Sequence, residues 1–230
     1  MKILYLNLDR GIPVEGDKGA SVHVREFVAA AASLGHEVTL ACTTRGAGNP
    51  PPPARLLEFA PPPADMAIID PIERRERVRI EHDWSVGDRV LAALASHGIA
   101  PDLVYERHAL FHRAGVCIAT RLGVPRLLEV NAPLVEEQRR FRGLCLVDEA
   151  LAAEAESYRG ADAIIAVSRQ VAAHVAAVLG RADRVHVVPN GVDLARFADV
   201  DPAGQALRAR LGLGGRRIAG FVGSFKAWHG

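Results

Sequence analysis

The chain has 230 residues, 49% hydrophobic and 24% charged, which suffices for a full core and sits near the upper size of one domain at about 100–200 residues each. Its 28 basic and 27 acidic side chains leave a net charge of +1 with no dense basic run, which argues against nucleic acid as a partner. Cys42, Cys117 and Cys145 lack C-x-x-C spacing and read as small buried hydrophobes in a reducing compartment, and the N-terminal apolar run, broken at Asp9, is too short for a signal peptide or a membrane span, so a soluble cytoplasmic protein is expected.

Lys2 to Leu8 are mostly apolar with little alternation, as suits a central parallel strand covered on both faces. A loop with Gly11, Pro13, Gly16 and Gly19 comes next. From Ala20 the pattern turns helical, with Val22, Phe27, Ala30, Ala31 and Leu34 as the apolar stripe, and Gly35 closes it before a strand from Glu37 to Cys42. Strand, glycine loop, helix and strand form the opening of a doubly wound sheet. Segment 46–63, GAGNPPPPARLLEFAPPP, flanks a short strand, Arg55 to Phe59, with stiff proline runs and reads as a surface excursion.

Glu73 to Glu81 mix charges of both signs and read as a solvated helix or loop; Asp83 to His97 form an amphipathic helix, and Leu103 to Glu106 the next strand. Leu110 to Leu122 are helical, and Arg126 to Val130 form a strand that runs into Asn131-Ala132-Pro133. Polar-faced helices come at Val135 to Arg142 and Val147 to Tyr158, then the strand ADAIIAVS, with Ser168 capping a helix from Arg169. Val185 to Val188 read as a buried strand that Pro189-Asn190-Gly191 ends sharply. The alternation predicts an α/β fold, a Rossmann-like doubly wound parallel sheet of about six or seven strands over residues 1–197. After Phe197 the chain reads as a linker, a short helix and a new strand from Ile218 to Val222.

Ligands of such sheets sit at strand C-termini. There, Gly16-Asp17-Lys18-Gly19 can offer backbone N–H groups to an anion at a helix start, although Asp17 replaces the lysine that a P-loop needs. His23 in the first turn of that helix can donate to a substrate oxygen, and Glu106, Arg107 and His108 leave their strand at the same edge. Glu129 and Asn131 end the neighbouring strand, and their spacing of two puts them on one face. A glycine turn, a surface cap, a salt-bridged loop and an Asx-turn are the structural alternatives. No Ser-His-Asp or Cys-His arrangement emerges from spacing, and the histidines do not fall at metal-binding intervals.

Taken in order, KGASVHVREFVAAAASLGHEVTL, DLVYERH, VPRLLEVNAPL, ADAIIAVS, VVPNGVDLARF and GFVGSFKAWHG resemble the glycosyltransferases of family four, which have the two-domain GT-B fold. The resemblance implies transfer of a sugar from a nucleotide diphosphate sugar to an acceptor with retention of configuration, usually without a bound metal and with no cofactor beyond the donor. It implies an N-terminal domain that mainly binds acceptor, with Gly16 and Gly19 as diphosphate-loop positions and His23 as the family's helix-start histidine. Asn131 stands where many members place an active-site histidine, and its amide can orient a hydroxyl but cannot titrate near neutral pH. Asn131, Glu129 and His108 are thus the catalytic candidates; Glu106 and Arg107 are substrate-binding candidates, joined by Ser224, Lys226 and His229 in the donor-domain loop GSFKAWHG.

Residues 198–230 are expected to be a linker and the incomplete start of the nucleotide-sugar domain, so that the isolated chain holds half a cleft and does not turn over. A GT-B nucleotide-sugar epimerase and a non-catalytic α/β subunit completed in trans are the alternatives. A peripheral membrane contact stays open.

Overall fold

The structure is a computed structural model that describes residues 1–198 and 200–220. The chain divides into two compact units, Met1–Pro189 and a second from Asn190. In the first, the strands are β1 (Lys2–Asn7), β2 (Glu37–Cys42), β3 (Arg55–Glu58), β4 (Leu103–Arg107), β5 (Arg126–Val130), β6 (Ala163–Ala166) and β7 (Val185–Val187). They form one seven-stranded sheet in the order β3-β2-β1-β4-β5-β6-β7. Every pairing is parallel. The helices are α1 (Gly19–Ser33), α2 (Pro71–Ser96), α3 (Ala114–Leu122), α4 (Leu134–Phe141), α5 (Val147–Arg159) and α6 (Arg169–Leu179). Strand order reverses between β1 and β4, the switch point outside which open α/β sheets bind ligands.

Side-chain alternation splits the core between the two faces. Leu4, Leu6, Leu8 and Val104 pack against Val86, Val90 and Leu94 of α2 and Ile118 of α3. Ile3, Tyr5, Leu40 and Tyr105 lie under Val24, Val28 and Ala31 of α1. The buried stripe of α1 is Ser21, Val24, Val28 and Ala31, whereas Leu34 is 75% exposed, which corrects the predicted stripe. Phe27 is only half-buried because it stacks at the margin on Tyr105, with ring centroids 4.2 Å apart.

The charge-mixed stretch 73–81 and the amphipathic stretch from Asp83 belong to one long helix, α2. Asp70 caps α2 by accepting from the N–H groups of Ile72 and Glu73 at 2.7 and 3.1 Å, and Pro71 occupies the first turn. Residues 110–113, expected to be helical, form a turn instead. Phe111 has φ 70°, and the Asp83 carboxylate takes the N–H groups of Arg113 and Ala114 at 2.6 and 2.7 Å, so α3 starts only at Ala114. Ser168 caps α6 as expected, accepting from Val171 N–H at 3.2 Å.

β7 is not a buried strand: it pairs with β6 alone, and His186 and Val187 are exposed. Cys42 is buried, and its burial pushes the thiol up to about 12, but Cys117 and Cys145 are exposed. The second unit has a short 3-10 turn, Leu194–Phe197, and α7 (Val200–Arg210). Residues 201–220 are exposed apart from half-buried Leu213. Ile218 to Gly220 form no strand, and the rest of the strand expected there lies outside the described residues. Among the described residues no helix is long and apolar enough to cross a membrane.

Candidate functional site

Odd positions of β4 and β5 face α1 at the C-terminal edge, and this parity assembles a polar cluster on Glu129. The carboxylate is 2% exposed and accepts from Tyr105 Oη at 2.6 Å, Arg107 Nη1 at 2.9 Å, His23 Nε2 at 2.9 Å and the Asn131 amide. Burial by itself pushes the Glu129 carboxyl up, but the hydrogen bonds from His23, Asn131 and Tyr105 outweigh it and hold the group at about 2. A carboxylate with all its lone pairs spent is an anchor rather than a proton acceptor. It fixes His23, whose side chain is 20% exposed, with Nε2 inward and Nδ1 as the unspent nitrogen, and it leaves the Asn131 carbonyl oxygen as an acceptor at the rim. Tyr105 stacks between Phe27 and Tyr5, and burial, reinforced by Glu129, raises both phenols, which stay protonated.

The glycine loop divides into a closed part and an open one. Gly16 is buried, its N–H donates to Pro13 O at 3.1 Å, its carbonyl accepts from Arg25 at 2.7 Å, and an added Cβ would meet Pro13 at 2.7 Å. Its N–H is therefore committed inside the loop, which corrects its reading as an anion donor. Gly19, exposed at the first position of α1, has nothing within 4 Å of an added Cβ, and α1 has no side-chain cap. Lys18 folds back, Nζ donating to Gly11 O at 2.7 Å.

Even positions of β4 point to the other face, so Glu106 and His108 do not join Glu129. Glu106 is 1% exposed and ion-paired at 2.6 Å with Arg126, itself fully buried and donating to Ser157 O and Oγ at 2.8 Å. This is a sealed structural pair and not a substrate contact. His108, 6% exposed, packs on Tyr158 with centroids 5.1 Å apart; burial and nearby Arg126 push it down to about 3, and neither ring nitrogen has a hydrogen-bond partner. His108 is thus not among the partners of the Glu129 carboxylate. Ser224, Lys226 and His229 lie outside the described residues.

A cleft of about 430 Å³ opens at the same edge, on the α2 side of the sheet. Arg10 from the loop after β1, Arg74, Arg75, Arg79 and His82 from α2, and His112 from the turn after β4 line it, and Pro61 brings the proline-rich segment against it. Thr43 spends its hydroxyl proton on Leu8 O at 2.7 Å, so the 3.0 Å contact to His82 Nε2 is a bond donated by the imidazole. His82 is thereby fixed with Nδ1 unprotonated and without a partner; burial pushes its pKa down to about 3. None of these residues stood out in the sequence, although Arg75, Val78, Arg79 and His82 keep the i, i+3, i+4, i+7 spacing of one helix face. Among the described residues no group of His, Cys, Asp or Glu could hold a metal ion.

A parallel sheet with its switch at β1/β4 and its polar groups on the C-terminal edge defines the Rossmann-like half of a GT-B architecture. The family model of Glycosyltransferase Family 4 matches residues 18–196, and the chain belongs to that family. Among solved structures, sucrose-phosphate synthase from Thermosynechococcus elongatus superposes with a TM-score of 0.63 at 20% identity, over 92% of this chain and 52% of that one. HepE of Anabaena, crystallised with UDP-glucose, gives 0.57 at 16% identity over 94% and 51%. A glycosyltransferase from Rickettsia africae gives 0.51 at 15% identity over 92% and 49%. The chain thus spans about half the length of these proteins. No curated protein sequence matches it.

Proposed function

We propose that this chain is the acceptor-binding half of a retaining glycosyltransferase, which moves a sugar from a nucleotide diphosphate sugar to a glycan, lipid or small-molecule acceptor in the cytoplasm. The observation that carries the reading is the Glu129 cluster, placed at the switch-point edge inside the span that the family model matches. UDP-glucose in the HepE structure supports a nucleotide sugar as donor. In this reading residues 1–197 form the acceptor domain, residues 198–230 lead into a donor domain, and Gly19 at the open start of α1 faces the donor diphosphate.

Stabilising a departing diphosphate and an oxocarbenium-like centre needs donors from both walls of a cleft. This half supplies the acceptor wall. The Asn131 carbonyl oxygen and His23 Nδ1 orient an acceptor hydroxyl, and Glu129 holds both in place without taking the proton itself. Saturation-transfer NMR of the 230-residue chain with sugars, sugar phosphates and UDP-glucose, together with a transfer assay, tests the reading. Weak sugar binding without turnover is expected. Tight UDP-glucose binding with no sugar binding would make this a donor half, and robust transfer by the chain alone would contradict the half-cleft account.

A further inference from the structure

The α2 cleft has an excess of positive charge, with Arg10, Arg74, Arg75 and Arg79 in its lining against one acid, Asp9. Arg10, Arg75 and Arg79 make no hydrogen bond or salt bridge among the described residues, and Arg74 donates only to the carbonyl oxygens of Ile68 and Ile69. Of the acids near them only Asp9 lines the cleft, and the others are held by other groups although Asp70 and Glu76 keep their charge. Glu73 pairs with Arg77 at 3.3 Å, and Glu76 accepts from the N–H groups of Cys145 and Leu146 at 3.1 and 2.8 Å. Asp70 caps α2, and Asp9 accepts from Gly11 N–H at 2.7 Å. Arg75 and Arg79 are one helical turn apart, and they also line the adjoining 280 Å³ pocket. Arg10 and Arg75 are exposed and Arg79 half-buried, so their guanidinium forks are open to a ligand, and that geometry matches phosphate oxygens.

The cleft is also built for a hydroxylated body. Its volume is in the range of small-molecule sites. His82, 1% exposed, lines it and has a ring nitrogen, Nδ1, without a hydrogen-bond partner, whereas the Nδ1 of His112 lies 3.7 Å from the buried Asp83 carboxylate. His82 Nδ1, an acceptor by its tautomer, suits a sugar or polyol hydroxyl.

We propose that the acceptor is a sugar or polyol bearing a phosphoryl group, which Arg75 and Arg79 grip with Arg10 in this cleft while a hydroxyl turns toward His82. A dianion answers three unpaired arginines better than a single carboxylate does. The assignment rests on the acceptor-half reading, which leaves the reacting hydroxyl with His23 and Asn131, and names the substrate class of that half.

Isothermal titration of the 230-residue chain with glucose 6-phosphate, glucose, glucuronate and inorganic phosphate tests it. Glucose 6-phosphate is expected to bind at least about tenfold more tightly than each of the others, and the Arg75→Ala/Arg79→Ala variant, its unfolding midpoint unchanged, to lose that advantage. Parity between glucose 6-phosphate and glucuronate, or with inorganic phosphate alone, overturns the proposal, as does an undiminished advantage in the variant. Glucose binding that is as tight as that of glucose 6-phosphate and indifferent to the arginine substitutions overturns the phosphoryl assignment and leaves the acceptor-half reading standing. Binding of glucose 6-phosphate with arginine dependence upholds the assignment even where the transfer reading fails its own assay.

Discussion

Glu106 and Glu129 sit on adjacent strands, both almost fully buried, yet they answer to opposite demands. Glu106 meets one strong partner, Arg126, in a pocket so tight that a Cβ on Gly115 would stand 1.8 Å from its carboxylate. Glu129 gathers several donors, two of which, His23 and Asn131, are only partly buried at the C-terminal edge of the sheet. Burial raises the Glu106 carboxyl despite Arg126, whereas the hydrogen bonds to Glu129 overcome burial and hold it at about 2. A buried acid with one partner staples the fold; a buried acid with several partners reaching outward aims them. Strand parity alone decides which acid does which.

The largest effect should come from breaking the staple. Arg126→Met leaves Glu106 buried without its partner and should cost about 3–5 kcal/mol in urea unfolding, with loss of any sugar binding only through loss of fold. Gly115→Ala should come next at about 3 kcal/mol, because the new methyl displaces the Glu106 carboxylate and with it the Arg126 pair. Glu129→Gln should cost less, about 2 kcal/mol, but should abolish sugar binding in a chain that remains folded.

The same variant sharpens the comparison through pH. The Glu129 carboxyl is held at about 2, below its ordinary 4.5, so the stability it gives is complete above pH 4.5 and is lost as pH falls toward 2. Glu106, raised, acts with the opposite sign, its charge disfavoured by folding. Urea midpoints measured between about pH 5 and pH 2 should therefore fall less steeply in Glu129→Gln than in the wild type; equal slopes would show that Glu129 carries no such linkage. Smallest in stability should be His23→Ala, about 1 kcal/mol, with a loss of binding out of proportion to it.

Most of the sheet was legible in the sequence because buried parallel strands are short apolar runs: β2 and β5 keep their predicted limits, Glu37 to Cys42 and Arg126 to Val130. The Glu129–Asn131 pairing was legible too, since a spacing of two fixes a shared face. What failed did so for physical reasons. An edge is shared by residues on both faces, so Glu106 and His108 looked like companions of Glu129 until parity separated them. The glycine loop showed flexibility but not that Pro13 had already taken the Gly16 N–H. Stretch 73–81 read as solvated because charge mixing conceals a buried face: Glu76, Val78 and Ile80 are buried while Arg75 stays exposed.

The central claim is that the sheet edge around His23, Glu129 and Asn131 is the working face and the Glu106–Arg126 pair a staple. Amide and side-chain NMR shifts of the 230-residue chain, recorded during titration with hexoses and hexose phosphates, test this most directly. The account predicts shifts at Gly19, His23 and Asn131, with Arg126 and Ser157 unmoved; shifts confined to the Arg126 side, or none at the His23 edge, would contradict it.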